Sequence, residues 1–174
     1  LDAAVNYLGA WKGVAGVSLV TFLGNSAFVT IVGTIGCVFT SILAAYAFTR
    51  VHFRFSRFWF SCVLVTMMIP TQVMVVPQYI ILKKMNLIDT RIALILPWFF
   101  GGGFFIFLLV QSLKAIPREL DEAAQIDGCG HFRILFNILV PVLKPSIVTA
   151  SIFSFYWIWQ DFFQPLIFMS TTSK

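Results

Sequence analysis

The chain has 174 residues, 59% of them apolar and only 11% charged, where soluble domains carry roughly 45–50% apolar and about 25% charged residues. That excludes a soluble single domain, which would lack the charges to cover its surface, and a mean hydropathy of +0.91 excludes disorder. The formal charge of +5 is scattered through a chain with 20 Phe and 5 Trp, so it reads as the positive-inside bias of a membrane protein and not as a nucleic-acid footprint.

The chain opens on Leu1, without the charged and short apolar regions of a signal peptide. It reads as a piece of something longer, with residues 1–21 extracytoplasmic. Crossing about 30 Å of hydrocarbon takes roughly 20 apolar residues in a helix. The first such run, residues 22–48, holds no charge. After it come Arg50, His52, Arg54 and Arg57 with no acid, which places this loop in the cytoplasm.

The second run, residues 58–82, contains Pro70 and Pro77; each lacks an N–H and clashes with the preceding turn, so both are expected to kink the helix. Residues 83–91 then fall outside by alternation, although Lys83, Lys84 and Arg91 oppose the charge bias there. The third run, residues 92–113, carries Gly101, Gly102 and Gly103, whose bare backbone suits close approach of a neighbouring helix. The fourth spans residues 138–168, and the polar Ser170-Thr171-Thr172-Ser173-Lys174 follows it outside. Long helices are the only reading, since lipid demands internally satisfied backbone. The fold class is an all-α polytopic membrane protein with four spans.

Between the third and fourth runs lies a polar stretch on the cytoplasmic side. Pro117 suits a first helical position, Glu119, Asp121 and Glu122 complement the positive end of the helix dipole, and Gly128 suits the left-handed residue that ends a helix. Phe132, Leu135, Phe136 and Leu139 recur at helical spacing before Pro141, which is expected to open the last membrane helix. On the first helix Leu120, Ala123 and Ala124 share a face, with Glu119, Glu122 and Gln125 on or beside it. Small side chains beside acids suit docking into a partner's cleft. A helix lying on the membrane would bring large apolar and basic residues, and its acids would be repelled by anionic headgroups.

Cys37, Cys62 and Cys129 show no paired spacing, so neither a disulfide framework nor a zinc site is indicated. His52 and His131 have no carboxylate or thiol at metal-ligand spacing. An ion-coupled carrier would place ionisable residues at membrane depth; the first three runs have none in their central portions, and Lys144 and Asp161 sit near opposite ends of the fourth. An enzyme would need a nucleophile with a base, or paired carboxylates. Ser41, Ser61 and Ser151 are lone hydroxyls in apolar helices, and the acids of the polar stretch cluster on one short exposed helix. A purely structural subunit stays open on composition. No G-x-x-x-x-G-K-[ST] loop is present, so a nucleotide would have to be hydrolysed by a partner.

Glu122-Ala123-Ala124, then Gly128, then Ile138, Leu139, Val140 and Pro141 resemble the EAA loop of the inner-membrane permeases of ABC importers, with Val140 a conservative departure. The similarity is widest to the second permease subunit of sugar importers of the maltose-transporter type. Met68-Ile69-Pro70 with Val76-Pro77, Leu96-Pro97, Ile116-Pro117, Ile126-Asp127-Gly128 and Lys144-Pro145 carry it. Trp159-Gln160-Asp161 with Pro165-Leu166 resembles the family's Trp-Asn-Asp and Pro-Leu, with Gln160 departing.

The resemblance implies a type I ABC importer transmembrane domain over residues 22–174, lacking the first and last helices of the full subunit, with an EAA coupling loop at residues 114–140. It implies Glu119, Glu122, Ala123, Ala124, Asp127, Gly128, Ile138 and Pro141 as the ATPase-coupling residues. Trp159, Gln160, Asp161 and Phe155 are expected on the substrate path; the rings of Trp157, Trp159 and Phe155 would stack on sugars or, as is commoner for Trp and Phe near a membrane interface, serve as anchors. It also implies a homologous permease, two ATPase subunits that use ATP and Mg, and an extracytoplasmic binding protein. The solute would be a sugar or oligosaccharide, with glycerol phosphate as the alternative, moved across the inner membrane by alternating access. The chain itself would bind no cofactor or metal and would be a transport subunit, not an enzyme.

Overall fold

The computed structural model describes residues 18–169, all of whose regular elements are helical; the expectations for most of residues 1–21 and for the segment after 169 lie outside them. Helix α1, Leu19–Arg50, has 32 residues and so is about 48 Å long at 1.5 Å per residue. Ser18 opens it by accepting the Thr21 N–H on its hydroxyl oxygen (3.3 Å). Its buried stripe, among others Gly33, Cys37, Ser41, Ala45, Tyr46 and Thr49, follows the helical repeat. The chain leaves the helix at Val51, which is extended.

The second run forms two helices, α2 (Ser56–Thr66) and α3 (Thr71–Lys84), bent by 105° at the break. The residue before a proline is steered out of the α region, so Ile69 cannot carry α2 into Pro70. The end of α2 tightens instead, through bonds from Met67, Met68 and Ile69 to carbonyls three residues back. Pro77 was expected to be a second kink. It lies inside α3, which runs from Thr71 to Lys84, so of the two prolines only Pro70 stands at a break between helices.

Helix α4, Arg91–Lys114, spans 24 residues and is interrupted by a tighter turn at Leu96–Phe100 that ends on Gly101, φ +72°. Its glycines meet neighbours closely. A Cβ on Gly103 would come within 3.0 Å of the Val63 carbonyl oxygen of α2, and one on Gly101 within 3.3 Å of Ser41 Oγ of α1. On α1 itself, a Cβ at Gly36 would overlap the Phe99 ring. Lipid supplies no hydrophobic drive between helices, so such small-residue contacts carry the packing.

Helix α5 (Glu119–Ile126) precedes α6 (His131–Val142), which contains a wide π turn at Ile134–Leu139. Helix α7 (Lys144–Trp159) departs from α6 at 82°, and α8 (Phe163–Phe168) follows as a separate piece. The single span expected over residues 138–168 is therefore three helices. The last membrane helix opens at Lys144, not at Pro141: Pro145, with its fixed φ, sits in the first turn of α7, whereas Pro141 lies inside α6.

Helix α1 lies between α7 and the second half of α4. The core joins Cys37, Val38, Ile42 and Ala45 of α1 to Leu109, Val110 and Leu113 of α4 and to Ile134, Leu135 and Leu139 of α6. A smaller cluster, Val75, Leu82, Ala93 and Phe168, sits where α3, the start of α4 and α8 meet. There the Asp89 N–H donates to the Phe168 carbonyl (3.0 Å), and the Arg91 guanidinium lies over Phe28. Arg50, Lys114 and α5 gather at the opposite end of α1. Large apolar side chains such as Ile35, Met68 and Ile152 stay more than half exposed, a surface suited to lipid or a partner.

Candidate functional site

Helix α5 presents two faces. Glu119, Glu122, Ala123, Gln125 and Asp127 are exposed, and Ile126 is 87% exposed, while Asp121 and Ala124 point inward one helical turn apart. Ala124, expected on the docking face, is 5% exposed and belongs to the core against α1, α4 and α6. Asp121, grouped with the exposed acids from sequence, instead pairs with Arg50, Nε to Oδ2 at 2.8 Å. The outward face keeps Glu122 and Ala123. Of the other coupling residues, Pro141 is exposed and Ile138 half-buried.

Gly128 ends α5 with φ +80°. The Cys129 N–H donates to the Ala124 carbonyl (2.9 Å) and the Gly128 N–H to the Gln125 carbonyl (3.0 Å). These are the paired bonds of a Schellman motif, in which the left-handed residue is normally glycine. Tyr46 Oη of α1 lies 3.0 Å from His131 Nδ1 at the start of α6, so the turn is anchored on both sides.

Two cavities lie away from this loop. One of about 490 Å³ opens between the start of α3, α4 and the break between α7 and α8, lined by Thr71, Gln72, Trp98, Trp157, Gln160 and Gln164 among others. Its described lining holds three carboxamides, one carboxylate and no Lys or Arg. The other, about 690 Å³, is lined by Asn25, Thr30, Arg91, Trp159 and Asp161 among others. Of the four residues expected in the substrate path, Gln160 reaches the first cavity, Trp159 the second and Asp161 both.

Phe155 lines neither of these two cavities and stacks on Trp159, ring centroids 5.8 Å apart. Asp161 also has a structural task, since its Oδ1 accepts the N–H groups of Phe163 (3.0 Å) and Gln164 (3.3 Å) at the start of α8. Gln72, Gln164 and Trp98 were missed from sequence. The signal for the two glutamines was there, as lone amides inside apolar segments.

Residues 37–172 match the family described as "Binding-protein-dependent transport system inner membrane component". The "Probable starch degradation products transport system permease protein AmyC" of Thermoanaerobacterium thermosulfurigenes is 34% identical over 87% of the chain and 55% of its own length. The sn-glycerol-3-phosphate transport system permease protein UgpE of Brucella abortus is 33% identical over 91% of the chain and 56% of its own length. The chain thus spans about half the length of these curated relatives. A crystal structure of a bacterial ABC transporter involved in the import of the acidic polysaccharide alginate shares the fold, with a TM-score of 0.77 and 24% identity over 85% of the chain and 52% of the other. With the family match covering most of the helices described above, the chain belongs to the inner-membrane permeases of ABC importers, as a multi-pass membrane protein.

Proposed function

We propose that the chain supplies the coupling loop and part of the solute path of an ATP-driven importer that moves a carbohydrate inward by alternating access. The observation that carries this reading is α5, which offers Glu119, Glu122 and Ala123 outward from the end of the helix bundle. A separate ATPase subunit would seat on that face, and ATP with Mg would be used there, not on this chain. A homologous permease would close the path, two ATPase subunits would drive it, and an extracytoplasmic binding protein would deliver the solute.

The 490 Å³ cavity supports a neutral polyhydroxylated solute. Carboxamides both donate and accept, as sugar hydroxyls require, and indole faces cover the apolar side of a sugar ring. A phosphorylated solute is the second reading, for which the larger cavity offers Arg91, although the carboxylates Asp89 and Asp161 line it too. ATP hydrolysis by the complete reconstituted complex separates the two. Stimulation by a binding protein loaded with a neutral oligosaccharide, and its loss in Gln72→Leu/Gln160→Leu, is the expected result. Stimulation by glycerol phosphate alone would replace the first reading with the second.

A further inference from the structure

Arg50, the last residue of α1, has a side chain only 6% exposed and touches both the end of α4 and helix α5. Its Nη2 donates to the carbonyls of Leu113 (3.2 Å) and Ile116 (2.8 Å), where α4 ends. Its Nε stands 2.8 Å from Oδ2 of Asp121, whose side chain is 10% exposed. Arg118, just before α5, reaches back so that its Nη2 donates to the Thr49 carbonyl (3.1 Å). The ends of α1 and α4 and the base of α5 are thus gathered around one guanidinium.

The two sides of this gathering differ in kind. Toward α4 the contacts are hydrogen bonds to carbonyls fixed in direction. Toward α5 there is one contact between two side chains, the buried ion pair of Arg50 Nε with Asp121 Oδ2 at 2.8 Å. A buried pair attracts strongly in low dielectric, and a link through one pair of side-chain atoms holds α5 at a point, whereas two backbone carbonyls fix the guanidinium to the end of α4.

We infer that the Arg50–Asp121 pair is a pivot through which movement of α5 is passed to α1 and α4. The inference rests on the reading of α5 as the helix that docks on the ATPase, and it makes Arg50 and Asp121 positioning residues. It requires the negative charge of Asp121, whereas the docking reading requires the outward face around Glu122.

The test uses the complete transporter, with full-length subunits, in lipid discs. Asp121→Asn keeps shape and removes charge, and Asp121→Glu keeps charge. With Asp121→Asn the ATPase should co-purify in the normal ratio, while uptake falls at least about tenfold, within the 5–150-fold range typical of coupling between sites. Hydrolysis should then lose its stimulation by the solute-loaded binding protein. Asp121→Glu should restore most of both. If Asp121→Asn lowers the amount of folded protein, Arg50→Met/Asp121→Leu replaces the whole pair by apolar side chains of similar size, which a fold often tolerates. That double variant should assemble and remain uncoupled.

Normal stimulation and uptake in Asp121→Asn or in the double variant would overturn the pivot. So would loss of the ATPase from Asp121→Asn complexes, which would make Asp121 part of the docking surface. Failure of the docking reading looks different, because Glu122→Lys would then bind the ATPase and transport normally.

Discussion

Gly128 can be judged from its surroundings. Its φ of +80° is one that L-residues rarely adopt, and a Cβ built on it meets nothing within 4 Å. A side chain there would clash with nothing else in this chain, so the cost of substitution is the left-handed conformation itself, roughly 1–2 kcal/mol. β-Branched residues stand toward the upper end and Asn well below it, since Asn visits this region readily. At about 1.4 kcal/mol per factor of ten, the α5–α6 turn would lose its Schellman geometry in a substantial fraction of molecules. Such a cost is too small to unfold a bundle whose core is formed by α1, α4 and α6. Gly128→Val should therefore leave the amount of protein in membranes near normal while initial uptake falls about five- to thirtyfold, the factor that 1–2 kcal/mol corresponds to. Gly128→Asn should stay within about threefold of wild type, the change that a few tenths of a kcal/mol produces. Immunoblotting of membranes alongside initial-rate uptake measures both. Equal transport by Gly128→Val and wild type would refute the claim that the shape of this turn matters, and equal loss in Val and Asn would show that bulk, not conformation, is resisted.

Other expectations test separate parts of the structure. Glu122→Lys should release the ATPase from membranes or uncouple hydrolysis from uptake, because it reverses the charge at the centre of the exposed face of α5; normal uptake by a stable complex would count against that face. In a background lacking Cys37, Cys62 and Cys129, Arg54→Cys and Asp127→Cys should resist an impermeant thiol reagent applied to intact cells, and strong labelling of either would reverse the assigned orientation. Gly36→Val should lower the thermal unfolding temperature in detergent, because its side chain would collide with Phe99, an overpacking that typically costs 1–3 kcal/mol; an unchanged midpoint would show that α4 can move aside. Trp159→Ala should weaken solute-stimulated hydrolysis if the larger cavity lies on the path, and unchanged stimulation would leave Trp159 as packing for Phe155.

Two of the four membrane-crossing runs were legible as single helices, α1 and α4, because transfer to lipid depends on each segment's own side chains and length, not on its neighbours. The other two are bent pairs, α2 with α3 and α6 with α7, and where they break was not legible. The run at residues 22–48 became α1 with a few residues added at each end. The turn at Gly128 was legible for the same local reason, since acids, spacing and a glycine together specify a short helix with a left-handed end. Which proline breaks a helix was not. Pro70 and Pro77 look alike in sequence, but only Pro70 coincides with the bend, and Pro77 is carried inside α3. The division of α5 was also hidden, because helical spacing says which residues share a face but not which face turns inward. Asp121 and Ala124 are buried only because Arg50, 71 positions earlier, and the ends of α1 and α4 arrive beside them. Gln72 and Gln160 share a cavity for the same kind of reason. Each is an isolated amide in its own segment, and only the bends after α2 and α6 and the break after α7 bring such groups together. Propensity and hydropathy act over a few turns of helix, whereas pairing of buried charge and convergence of polar groups are settled by which distant segments the packing of the bundle makes neighbours.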